Sequence, residues 1–175
     1  MSQFFLTPER QAYWKFSDGL CSLPNFQDFM TLQGLQRSGS LPPQSIIING
    51  QTGDFISGGH IPAALMAGSV TPELLLSLII KKHFSLWHSL KTPQTMETLQ
   101  SELLQRFNIS SSSALDREEA IEYYERFEYE ERQAKFVING QRNYEFLRQH
   151  WELPLWDKKV VGFWKNIPVD LKYNQ

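Results

Sequence analysis

The sequence holds a single cysteine, Cys21. A lone thiol closes no internal disulfide and builds no thiolate zinc site, so disulfide scaffolds and Cys-based zinc folds are excluded. Cys21 itself reads as a small buried hydrophobe. A surplus of positive charge is also missing. Lysine and arginine number 17 against 19 acidic residues, giving a formal net charge of −2. With no basic stripe either, the chain does not read as a nucleic-acid binder. Long apolar runs are absent too. The strongest, Leu74 to Ile80, falls far short of the roughly 20 residues that span a bilayer. The opening MSQFFLTPERQAYWKF has an apolar stretch too short for a secretory core, and Glu9 and Arg10 follow it. The expectation is a cytoplasmic protein with neither nucleic acid nor membrane as partner.

What is present is ordinary for a globular chain: 175 residues, 41% hydrophobic and 21% charged. This length builds a core without staples, so a single domain over 1–175 is expected. Thr7-Pro8-Glu9 reads as a helix start, and Phe26, Phe29, Met30, Leu32 and Leu35 share one helical face. Ser45-Ile46-Ile47-Ile48-Asn49, bounded by Pro-Pro and Gly, predicts the one clear buried strand, covered on both faces. Thr71-Pro72-Glu73 opens a helix expected to run to about Leu90, and Thr95 to Phe107 forms another. A capping box of Ser113 with Asp116 precedes a long helix from Asp116 to Ile138, with Ile121, Tyr124, Phe127 and Ala134 facing inward. The acidic run through Glu131 reads as a solvated face. The fold class is α/β and mostly helical.

The compositional singularity follows the Ile strand: Gly50-Gln51-Thr52-Gly53-Asp54-Phe55-Ile56-Ser57-Gly58-Gly59-His60. Glycines let the backbone approach an anion with its N–H groups turned inward, and an acidic residue in such a loop holds the Mg²⁺ that accompanies phosphates. Asp54 is the acidic residue there. The loop is neither a Walker A loop nor a dinucleotide fingerprint. The alternative is that the glycines make tight turns and Asp54 serves as a cap. His83 and His88 are five apart, off a common helical face, so they make no helical zinc pair. Lys81 and Lys82 either approach phosphates or form the charged end of a helix.

The glycine loop resembles the second signature of the asparagine synthetase family, G-(D/E)-G-x-D-E-(L/V)-F-x-G-Y, at the end of a buried strand. Gly50, Asp54 and Gly59 match and Ile56 matches in character, whereas Gln51, Thr52, Phe55 and His60 depart from the pattern. Downstream, Leu153-Pro154-Leu155-Trp156-Asp157 parallels the family's P-F-L-D stretch, and Ile167-Pro168-Val169-Asp170-Leu171-Lys172 parallels its l-P-x-x-l-K motif. The PP-loop, S-G-G-x-D-S, is absent from the sequence.

The resemblance implies the C-terminal portion of a PP-loop ATP-pyrophosphatase domain, of the adenine-nucleotide alpha-hydrolase-like type. It implies an ATP-dependent, amide-forming ligase that adenylates a small-molecule carboxylate, releases pyrophosphate and accepts ammonia or an amine. ATP and Mg²⁺ are the implied cofactors. Gly50, Gln51, Thr52, Gly53, Asp54, Gly58, Gly59 and His60 would hold pyrophosphate, with Asp54 on Mg²⁺, while Asp18 and Ser22 would line the substrate pocket. No catalytic residue is assigned. The missing PP-loop half, or a partner subunit, would complete the enzyme. The alternative is a non-catalytic helical interaction or regulatory module that kept the scaffold.

Overall fold

A computed structural model describes residues 7–17, 25–86 and 88–173. The chain forms two compact units, Met1–Ser57 with Glu131–Ile167 and Gly58–Glu130 with Pro168–Gln175. Helices dominate both, and the sheets are small.

In the first unit, α1 (Pro8–Ser17) starts where Thr7-Pro8 predicts, and the Thr7 carbonyl accepts from Arg10 and Gln11 N–H. Helix α2 (Phe26–Arg37) is capped by Asn25, whose side chain accepts from Asp28 N–H at 3.2 Å. An aromatic layer joins these helices to α7 (Arg142–Phe146): Tyr13, fully buried, stacks on Phe29 at 4.6 Å and meets Phe146 at 5.4 Å. Such ring pairs add about 0.5–1.5 kcal/mol beyond their buried area.

Strand β1 (Ile46–Ile48) pairs in parallel with β4 (His150–Glu152), with Ile46 opposite His150 and Ile48 opposite Glu152. The expectation that the Ile strand is buried on both faces is not met. Ile46 is 57% and Ile48 63% exposed, and only Ile47 is half-buried. The reason is the sheet's size: with two strands, no layer of described residues covers the face shared by Ile46, Ile48, His150 and Glu152. Beyond β4 runs α8 (Lys158–Lys165), capped by Asp157, which accepts from Lys159 N–H at 2.8 Å.

The second unit packs α4 (Pro72–His83), α5 (Pro93–Phe107) and α6 (Arg117–Phe127) around Leu75, Ile79, Leu103, Phe107, Ile121 and Phe127. Thr71 caps α4 by accepting from Leu74 N–H at 3.2 Å, as its Thr-Pro-Glu start predicts. The helix ends at His83, short of the expected Leu90, because its inward stripe stops at Ile80; the next aliphatic residue, Leu86, is 86% exposed. Strands β2 (Ser69–Val70) and β3 (Leu115–Asp116) make a short antiparallel pair. The cap of α6 is Asp116, accepting from Glu119 N–H at 2.7 Å, and not Ser113.

The long helix predicted from Asp116 to Ile138 changes register inside. After Phe127 it continues as a π-helix, Glu128–Ile138. The wider turn of i→i+5 bonding rotates the later residues. Gln133 is thereby buried to 1% exposure, while the expected core residue Ala134 is half-buried. The chain closes with α9 (Val169–Lys172). Among the described residues no helix is long and apolar enough to cross a membrane.

Candidate functional site

The glycine loop springs from the carboxyl end of β1. Asn49 leaves the strand with its N–H donating to the Glu152 carbonyl at 3.0 Å. Its side chain then fixes the turn: Oδ1 accepts from Gln51 N–H at 2.7 Å, and Nδ2 donates to Gln141 Oε1 and to the Tyr144 hydroxyl, both at 2.7 Å. Gln141 and Tyr144 are buried. Burial raises the Tyr144 phenol above its usual range, and the Asn49 hydrogen bond opposes the shift. Thr52, also buried, takes φ 81, and α3 (Gly53–Ile56) begins at once. That φ is the left-handed region, where a β-branched residue is strained and glycine is at ease.

Gln51 and Asp54 are exposed at the mouth of this turn, and Asp54 Oδ1 accepts from Phe55 N–H at 2.9 Å. An exposed loop carboxylate fits the usual binding of Mg²⁺, through one or two carboxylates with phosphate oxygens supplying further ligands. Among the described residues no group of three or more His, Cys, Asp or Glu side chains could hold a metal by itself.

The second family-like stretch lies beside the first. Leu153 to Asp157 follow β4 as the loop follows β1, so both leave the carboxyl ends of one parallel pair. A Cβ placed on Gly53 would sit 3.0 Å from Leu155 Cδ1. In open α/β sheets that end of the strands is where ligands bind.

Gly58, Gly59 and His60 belong to the second unit. Gly58 has φ +87, and a Cβ on it would lie 2.7 Å from the Lys172 carbonyl oxygen. His60 turns Nδ1 to Glu128 Oε1 at 2.9 Å. The Glu128 side chain is fully buried and also meets Lys82 Nζ at 3.0 Å and His83 Nε2 at 3.1 Å through Oε2. Burial alone would raise its pKa, but the hydrogen bonds from His60, His83 and Lys82 outweigh it and hold the carboxyl far below the usual carboxylate range. Lys172, which ends the l-P-x-x-l-K-like stretch, is buried and donates to both oxygens of Glu125 at 2.9 and 2.7 Å.

No family profile, curated protein or solved structure matches this chain. The site readings therefore rest on geometry. Asp18 and Ser22, assigned by resemblance to a substrate pocket, lie outside the described residues. Gly50 to Asp54 are brought together with the 153–157 stretch in one unit. Glu128 was missed, because an acidic run reads as a solvated face; the structure corrects this, since Glu128 is wholly buried. The signal was its phase: Glu128 falls four residues after Tyr124 and seven after Ile121, on the apolar stripe of α6.

Proposed function

We propose that the chain contributes the pyrophosphate-binding face of an asparagine-synthetase-like, ATP-dependent ligase, within a PP-loop ATP-pyrophosphatase type of domain. In that reaction a substrate carboxylate oxygen attacks the α-phosphorus of ATP and the bond to the β-phosphate breaks. Pyrophosphate leaves, and ammonia or an amine then displaces AMP from the acyl carbon. The loop Gly50–Asp54 would hold the departing pyrophosphate, with Asp54 on Mg²⁺. The PP-loop would come from another segment or a partner subunit.

One observation carries this reading: the two family-like stretches follow paired parallel strands and pack against each other at their carboxyl ends. The φ of Thr52 adds support, because the backbone takes a glycine-favouring conformation where the family pattern has glycine.

The test is equilibrium binding of pyrophosphate with and without Mg²⁺, comparing the parent chain with Asp54→Asn. Asp54 is exposed, so the variant folds. The expected result is about a tenfold weaker Mg·pyrophosphate complex, of the size lost with one charge-assisted contact, and no change in metal-free pyrophosphate. Equal binding of Mg·pyrophosphate by both proteins sinks the proposal.

A second reading, an interaction module that kept the scaffold without the chemistry, is favoured by the bare Ile46 and Ile48 face and by Gln51 in place of an acidic residue. It would be supported if Mg·ATP binds neither protein.

A further inference from the structure

In the second unit a half-open cavity of about 400 Å³ lies where the end of α4 faces α5. Phe84, Leu90, Met96 and Leu99 give it an apolar lining, and Lys91 sets one ammonium beside them. Its volume lies within the few-hundred-Å³ range of small-ligand sites. His83 forms one wall, with Nε2 3.1 Å from Glu128 Oε2 and its ring 5.0 Å from that of Phe127. Lys91 is exposed and makes no ion pair among the described residues.

Lys91 is the one lysine among the residues that line this cavity. Between Glu73 and Glu97 the sequence has no acidic residue, yet it places Lys81, Lys82, His83, His88 and Lys91 there. Only Lys82 and His83 of this set meet a carboxylate, that of Glu128. The same stretch leaves Leu86 and Leu90 exposed, at 86% and 55%. A single cation beside an aliphatic cavity complements a ligand with one anionic head and an aliphatic body.

We infer that the second unit binds a medium-chain aliphatic carboxylate, with the chain between Phe84, Leu90, Met96 and Leu99 and the head at Lys91. The inference does not depend on the glycine-loop reading. Flexible Met96 and branched leucines suit a conformationally variable alkyl chain.

The probe is octanoate, titrated into the full chain with ¹³C-methyl-methionine, where Met96→Leu identifies the Met96 signal. The Met96 signal is expected to shift saturably. Affinity should rise about two- to fourfold per methylene from butanoate through hexanoate to octanoate, as methylene burial requires. Lys91→Gln should weaken octanoate about three- to fivefold, the range of an exposed charge pair, and leave 1-octanol unchanged. A Met96 signal that does not saturate, or an equal loss for octanoate and octanol in Lys91→Gln, overturns the proposal. So does association with phosphatidylglycerol vesicles in place of monomer binding, which would make the patch a membrane surface.

Discussion

Glu128 is where one side chain decides most. Three basic groups lie within 3.1 Å of a carboxylate with no exposed surface. Removing one partner of a buried ion cluster leaves uncompensated charge and costs about 3–5 kcal/mol. Glu128→Gln keeps the shape and removes the charge, and its unfolding free energy in urea should fall by about that amount. The pH dependence follows from the direction of the shift. A folded-state pKa far below the ordinary 4.5 means that Glu128 stabilises fully above pH 4.5 and loses its contribution as pH falls below it. Glu125, three residues earlier, has the opposite sign. Burial raises its pKa more than the Lys172 hydrogen bond lowers it, so folding gains as acid protonates it. The parent protein should therefore lose stability steeply below pH 4.5, whereas Glu128→Gln should show a shallower limb there, with Glu130, lowered chiefly by its Arg106 hydrogen bond, keeping part of the loss. A parent and variant with parallel acid limbs would contradict the assignment.

Among the elements, turns depend on individual backbone angles. Gly58 has φ +87 and lies against the Lys172 carbonyl at the end of α9, so Gly58→Ala meets both strain and a backbone clash. It should lower thermal stability by the equivalent of about 2 kcal/mol or more, read by calorimetry. Thr52 is the converse case. Thr52→Gly relieves a left-handed β-branched residue but gives up a buried side chain, so stability should stay within about 1 kcal/mol of the parent. Much at this scale was legible. Thr71-Pro72 carries a start signal that acts through the helix's own N–H groups, and the Ile run identifies β1, whereas α5 starts at Pro93, before the expected Thr95, because Thr92 caps it by accepting from Thr95 N–H. The π-helix was not legible, since its register change arises from packing and leaves the composition of a helix unaltered. Strands β2, β3 and β4 were too short for a period-two pattern to register. The glycine loop was found by composition, but the hold of Gln141 and Tyr144 on Asn49 links residues more than 90 positions apart, which no local pattern encodes.

At the scale of the whole molecule, each unit has its own interior and only one is rich in aliphatic core. The second unit gathers Leu75, Leu76, Ile79, Leu103 and Ile121, whereas the first relies on the aromatic cluster around Tyr13. The parallel pair of the first unit presents Ile46 and Ile48 to solvent, although such sheets normally have both faces covered. Replacing both with lysine should change stability by less than about 0.5 kcal/mol, as for surface positions. Light scattering should show reduced self-association of the double variant at high concentration. Unfolding of that variant would mean that the face is covered in solution.

The same parallel pair has a consequence for how the chain is made. Asn49 and Tyr144 are 95 residues apart, and all of the second unit's central stretch is synthesised between them. Contacts of such sequence separation form slowly, because loop closure precedes any gain from pairing. On the ribosome the helices of the second unit emerge and can pack while β1 still waits for β4. Until His150 to Glu152 are translated, Ile46 to Ile48 is an open edge carrying consecutive β-branched residues, the kind of segment that holding chaperones bind. Translation of the stretch from Gln141 to Glu152 therefore sets the moment at which the glycine loop acquires its shape.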